Sequence, residues 1–212
     1  MEKRDKLFNS GWIQKRQNDF TVCGTGSLKM YTNEFKNEID EFCTSNQIKM
    51  FNDIGCGDKN WIRNCNCFLN DTNYLGYDYV HSSIREKQHN DSGDTLSFLH
   101  THFPSHPKPF NIINETPRNC DATLCKSVLQ HLELDEAVKA IDTIKKTSKY
   151  LIIDNSNYDN NIFKITHEGN WKPYNFDIEP FNLKDKKILE IKNPCPSGKK
   201  YNINYFVTIY KF

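Results

Sequence analysis

Between Ile48 and Asp58 the chain runs from an apolar stretch directly into two closely spaced glycines, Ile48-Lys-Met-Phe-Asn-Asp-Ile-Gly-Cys-Gly-Asp58. The stretch over 48–54 reads as a strand. Glycines at its end let the backbone turn sharply and approach a ligand with no Cβ in the way. Open α/β sheets bind ligands at the carboxyl ends of their strands, so this turn is the first candidate site. A helix is expected to start near Asp58. Tyr74-Leu-Gly-Tyr-Asp78 reads as a second strand, and its last residue follows Gly57 by twenty-one positions. An acidic group there can accept hydrogen bonds from both hydroxyls of a ribose, so the ligand is expected to contain one.

The rest of the pattern extends this beginning into a sheet. Residues 1–20 are expected to hold a short helix, and 31–45 a longer one with Tyr31, Phe35, Ile39 and Phe42 on one stripe. A helix is expected over 81–89, strands over 110–114, 120–125 and 150–154, and a helix from Leu134 to Lys146 with Leu134, Ala137, Val138, Ile141 and Ile144 on one face. Five strands alternating with helices imply a Rossmann-like, doubly wound and mostly parallel sheet. Two last strands, over 187–192 and 202–210, are joined by Pro194-Cys-Pro-Ser-Gly198 with no helix between them, which implies a C-terminal antiparallel hairpin. The 212 residues are read as one domain. Residues 1–45 would form an N-terminal helical cap and glycine-rich loop, and 90–109 and 155–184 would be loop insertions.

Composition narrows the partners. With 28 Lys+Arg against 27 Asp+Glu, the net charge of +1 gives no long-range pull toward nucleic acid or an anionic membrane. No apolar run is long enough to span a bilayer. Met1-Glu-Lys-Arg-Asp-Lys6 is charged and has no apolar segment behind it, so a cytoplasmic setting with cysteines as thiols is expected. The eight cysteines lack the spacing of a structural metal site. Alternation places His100 and His102 of His100-Thr-His-Phe-Pro-Ser-His106 on one face of an extended segment, but no carboxylate or thiol completes a site nearby, so no metal is expected.

Which ribose ligand is meant follows from what surrounds the glycines. The dinucleotide pattern wants a third glycine where Asn60 stands. Asp58 would meet a docked pyrophosphate with a carboxylate, whereas a ligand carrying an amino group and a sulfonium would not be repelled. Both features disfavour a nicotinamide-dependent oxidoreductase and point to S-adenosylmethionine.

At this point the sequence resembles the class I S-adenosylmethionine-dependent methyltransferases. Asp53-Ile-Gly-Cys-Gly-Asp58 looks like their first motif, Leu75-Gly-Tyr-Asp78 like their second, and Asp121-Ala-Thr-Leu-Cys-Lys-Ser-Val-Leu-Gln-His-Leu132 like their fourth. A small subgroup also resembles this chain in Gly24-Thr-Gly-Ser27, Trp61, Gly169-Asn-Trp-Lys-Pro173 and Pro180-Phe-Asn182. The resemblance implies roles. Asp53, Gly55 and Gly57 would line the methionine part, and Cys56, Asn60 and Trp61 would also be cofactor-binding. Asp78 and Tyr79 would form the ribose side, Asn114 or Glu115 would contact adenine, and Lys126 and Ser127 would face the reacting end. Gly26 and Ser27 would either close over the methionine carboxylate or form a simple turn.

His131, after the fourth strand, is the candidate general base, since imidazole titrates close to physiological pH. A packed histidine at a helix start is the plainer reading. Asp154 is a weaker rival for the role. Trp171, Tyr174, Phe176 and Phe181 would form either an acceptor-binding wall or the buried underside of a long loop. The acceptor favoured by an aromatic wall and a balanced charge is a carbohydrate or glycan hydroxyl, hence O-methylation. The alternatives are a small metabolite, a protein or RNA, or a non-catalytic cofactor-binding partner subunit of the same fold.

Overall fold

The computed structural model of the protein describes residues 14–16, 19–21, 23–80, 108–163, 171–193 and 203–212. Among the described residues a two-stranded antiparallel ladder, β1 (Gln14–Arg16) and β2 (Asp19–Thr21), comes first; the short helix expected within 1–20 falls largely on residues 1–13, outside the described residues. Helix α1 (Lys29–Ser45) follows, then β3 (Met50–Ile54), a single-turn helix α2 (Cys67–Asn70), β4 (Asn73–Asp78), β5 (Lys108–Pro109), β6 (Cys120–Cys125), α3 (Leu134–Thr147), β7 (Ser148–Ser156), β8 (Lys187–Asn193) and β9 (Tyr205–Lys211).

Seven strands form one sheet in the order β5-β4-β3-β6-β7-β9-β8. The five from β5 to β7 run parallel, while β9 lies antiparallel between β7 and β8. This is the mostly parallel sheet with an antiparallel C-terminal pair expected from the strand pattern.

Both faces of the sheet are covered, as parallel strands require. On one face α1 buries Phe35, Ile39 and Phe42 of the expected stripe, with Tyr31 half-buried, against Phe51, Tyr150 and Ile152. Helix α1 ends where Gln47 turns left-handed (φ 52°), letting the N–H of Ile48 return to the carbonyl of Cys43. On the other face α3 buries Ala137, Ile141 and Ile144. Its first turn carries Asp135 and Glu136 and its last Lys145 and Lys146, the charge order that suits the helix dipole.

Two expected elements are displaced by side chains that capture nearby backbone N–H groups. No α-helix starts at Asp58. Its carboxylate accepts the N–H of Asn60 at 3.1 Å, Lys59 takes a left-handed conformation (φ 55°), and the chain passes through turns to Ile62–Asn64 before α2. Nor is 110–114 a strand. Asn111 caps that stretch into a turn, its side chain accepting the N–H of Ile113 and its own N–H going to Glu115 Oε1, so β5 ends at Pro109. The helix expected over 81–89, the histidines at 100–106 and the 194–198 connector lie outside the described residues.

Candidate functional site

The strand order reverses at β3, whose neighbours are β4 on one side and β6 on the other. A crevice opens there at the carboxyl ends of the strands. It holds a cavity of about 370 Å³, within the range of small-molecule sites. Ile54, Gly55 and Gly57 line it from β3, and Tyr77, Asp78 and Tyr79 from β4. Phe110 to Asn114 come from the turn after β5, and Lys126, Ser127 and Val128 from the end of β6. Cys23 and Ser27 reach over it from the N-terminal segment, and Leu132 and Glu136 complete it.

The glycine turn is shaped by the protein itself. Gly55 and Gly57 both have positive φ, 78° and 54°, which L side chains rarely adopt. A Cβ on Gly55 would overlap Cγ2 of Val128, and one on Gly57 would overlap the sulfur of Cys23. The sequence alone assigns these glycines to the approach of a ligand. In the fold, the space a Cβ would need is already filled by Val128 and Cys23.

The backbone donors of the turn are likewise engaged. The N–H groups of Gly55 and Cys56 both point at the carbonyl of Tyr77, at 2.8 and 3.0 Å. Gly57 donates to Asp78 Oδ2 at 2.7 Å, and Asp58 to the sulfur of Cys23 at 3.2 Å. An anion-binding loop needs such donors turned toward the ligand. Here they close the turn, and the surface it offers suits van der Waals contact. Asp78 itself is positioned by two backbone donors, Gly57 of the turn at Oδ2 and Val80 at Oδ1, the latter at 2.8 Å. Asp78 is 4% exposed and borders the cavity.

Several residues expected at the site stand behind it. Asp53 does not line the cavity. It is buried beneath the turn and accepts the hydroxyl of Tyr74 at 2.5 Å. Burial pushes its carboxyl up to about 7, against the lowering effects of the Tyr74 hydroxyl and the Lys59 ammonium. Burial likewise raises the Cys56 thiol, and Cys56 packs in the core with Trp61, whose ring lies 4.9 Å from that of Phe35. Asn60 donates from Nδ2 to the carbonyl of Ser27 at 3.0 Å. Gly26 accepts from Lys126 Nζ at 3.2 Å. Together with Thr21 Oγ1, which donates to Asp58 Oδ2 at 2.7 Å, these bonds staple the 21–27 segment onto the glycine turn.

Beyond β6 the chain is held by Asp154, at the end of β7. Its Oδ2 accepts both the N–H and the hydroxyl of Ser127, at 2.6 and 2.8 Å, and fixes that residue at a φ of 57°. Lys126 Nζ lies 4.0 Å from Asp154 Oδ1. Of the adenine pair, Asn114 lines the cavity, while Glu115 is turned back onto the N–H of Asn111. His131 sits half-buried on the short turn after β6, beside Leu132 and outside the lining. Tyr174, Phe176 and Phe181 are packed into the core at 4% exposure or less, so they form the underside of their loop and no wall for an acceptor. Trp171 packs against Tyr205.

Sequence reasoning missed the apolar lining, Phe110, Ile112, Ile113 and Leu132, together with Glu136. The only signal for the first three was an apolar run that reads as a strand. Among the described residues no cluster of His, Cys, Asp or Glu could hold a metal ion, and no helix is long and apolar enough to cross a membrane.

The chain matches no family model and no curated protein sequence. Solved structures match its fold, and they are class I S-adenosylmethionine-dependent methyltransferases. Magnesium protoporphyrin IX methyltransferase from Synechocystis, with S-adenosylhomocysteine bound, superposes with a TM-score of 0.59 at 11% identity, over 99% of this chain and 94% of that one. The N-methyltransferase NodS from Bradyrhizobium japonicum gives 0.57 at 14% identity, over 85% and 87%. An S-adenosylmethionine-dependent methyltransferase from Clostridium acetobutylicum gives 0.54 at 15%, over 85% and 91%. At such identities the likeness is one of fold.

Proposed function

We propose that the chain is an S-adenosylmethionine-dependent methyltransferase whose cofactor occupies the cleft between β3, β4 and β6. The observation that carries the reading is the glycine turn. Its N–H groups are committed to Tyr77, Asp78 and Cys23, so it presents no nest for a pyrophosphate. Asp78 stands ready as an acceptor for ribose hydroxyls. A nucleoside ligand without phosphate fits that donor and acceptor set, and the fold is one shared with proteins crystallised with such a ligand. In this reading Asp78 holds the ribose, and Phe110, Ile112 and Leu132 supply apolar surface for a base. Lys126 and Ser127, fixed by Asp154, border the reacting end. When bound, S-adenosylmethionine supplies an electrophilic methyl group. The protein's part is then to bind the acceptor in line with it and to exclude water.

The acceptor class we favour is a small molecule. A carbohydrate hydroxyl within that class is supported by the balanced charge, and no longer by the aromatic segment, whose rings are buried. The proposed base for a hydroxyl acceptor is His131, one residue from the cleft-lining Leu132. Calorimetric titration with S-adenosylmethionine, S-adenosylhomocysteine and NAD tests the cofactor. The first two should bind and NAD should not; binding of NAD, or of none of them, rejects the reading. A labelled-methyl screen over glycans, small metabolites, protein and RNA then identifies the acceptor.

A further inference from the structure

Trp171-Lys-Pro173 stands out in the sequence and has no part in the cleft lining. Lys172 is its unusual member. It is 3% exposed, and lysine is almost never buried unless its charge is met. Its ammonium donates to the carbonyl of Leu132 at 2.7 Å and to Glu133 Oε1 at 3.2 Å. Its backbone N–H donates to the carbonyl of Gln130 at 2.8 Å, and the hydroxyl of Tyr174 donates to the Leu132 carbonyl at 3.0 Å. All of these bonds land on residues 130–133, the turn that leads from the end of β6 into α3. Leu132 lines the cleft. So does Glu136, whose Oε2 accepts the N–H of Glu133 at 2.9 Å.

We propose that Lys172 is a positioning residue: with the Tyr174 hydroxyl, its ammonium clasps the 130–133 turn from behind and so sets Leu132 and Glu136 as one wall of the cofactor cleft. A buried ammonium tolerates one arrangement of acceptors and strongly disfavours those that leave it unpaired. It therefore commits the Leu132 carbonyl to a single orientation, which apolar packing alone does not do, while the more exposed Glu133 carboxylate balances its charge. The proposal rests on the cofactor reading for the identity of the ligand.

The test compares Lys172→Met, Tyr174→Phe and Asn161→Ala with the unaltered chain. Asn161 is the control for stability. Its Nδ2 donates to the carbonyls of Asn175 and Glu179, which ties the same loop together away from the 130–133 turn. Melting temperatures and calorimetric affinities for S-adenosylhomocysteine are measured where all four proteins are folded. Losing a charged hydrogen bond should weaken binding by about tenfold in Lys172→Met, and losing a neutral one by about threefold in Tyr174→Phe. Asn161→Ala should melt lower yet bind within about twofold of the unaltered chain, since its lost bonds do not reach the cleft. If Lys172→Met binds as the unaltered chain does, or Asn161→Ala weakens binding as much, the positioning role is overturned. If Lys172→Met does not fold, Tyr174→Phe decides, and unchanged affinity there overturns it. Failure of the unaltered chain to bind S-adenosylhomocysteine overturns the cofactor reading, and this proposal with it.

Discussion

Gly55→Ala probes the turn at its most constrained point. A φ of 78° costs an L-residue about 1–2 kcal/mol. The added Cβ would overlap Cγ2 of Val128, with Val128 Cβ only 3.5 Å away, so the valine must move. Overpacking of this kind costs about 1–3 kcal/mol, which brings the total to about 2–5 kcal/mol. Val128→Ala alone removes two methyl groups from a half-buried site and should cost about 1–1.5 kcal/mol. In the double variant the overlap is gone, and the backbone term and the lost Val128 methyls remain, about 2–3.5 kcal/mol together. The double variant should then cost less than the sum of the two single changes, with a coupling of about 1–3 kcal/mol. Urea unfolding of the four proteins measures this directly, and titration with S-adenosylhomocysteine should show binding partly restored in the double variant. Simple additivity would refute the reasoning. It would mean that Val128 is not the obstacle and that the glycine is needed against the ligand.

Asp78→Ala should weaken S-adenosylhomocysteine binding by about 1.5–3 kcal/mol, the value of hydrogen bonds to a charged acceptor, as read by calorimetry; unchanged affinity would remove Asp78 from the ribose role. If His131 is the base for a hydroxyl acceptor, His131→Ala should cut turnover by about 10²–10⁴-fold with cofactor affinity nearly intact, and the rate of the unaltered enzyme should fall on acidification. A lowered melting temperature with both kinetic constants modestly changed would assign it to packing instead. Asp53 gives a pH signature in stability. Its carboxyl is raised from 3.8 to about 7 in the fold, so between those values the folded chain holds a proton that the unfolded chain has released. Stability from this group is therefore full below about pH 4 and falls as pH rises through 7. Between pH 5 and 7 the unaltered chain should lose about 2–3 kcal/mol more than Asp53→Asn, measured by urea unfolding; parallel curves would reject the raised value.

What could be read from the sequence was what periodicity and spacing encode. The strands ending at Ile54 and Asp78, the apolar faces of α1 and α3, and the final antiparallel pair all stand near their expected positions. What was hidden turned on side chains that capture backbone groups locally. Asp58 and Asn111 each accept an N–H two residues on, and this ended an expected helix and an expected strand. The same captures rearrange the candidate site. Glu115 is held by Asn111 and leaves Asn114 to face the cleft. Asp53, Cys56 and Trp61 are expected beside the ligand, but their side chains are buried away from the cavity, and no count of residues distinguishes lining a cavity from supporting it. The aromatic loop shows the same limit. Tyr174, Phe176 and Phe181 are as apolar as a binding wall would be, and only the third dimension places them in the core.

The position of β9 bears on how the chain can be made. Among the described residues strand β8 bonds only to β9, and β9 is also the partner of β7, so Tyr205–Lys211 must arrive before β8 can join the sheet. Until then a nascent chain holds Tyr150–Ser156 as a free edge of consecutive buried residues, the kind of strand that recruits other chains. A product terminated after residue 193 would contain every residue of the cleft and still display that edge. It should be lost to association with its neighbours on the ribosome or soon after release, before its ligand site could serve.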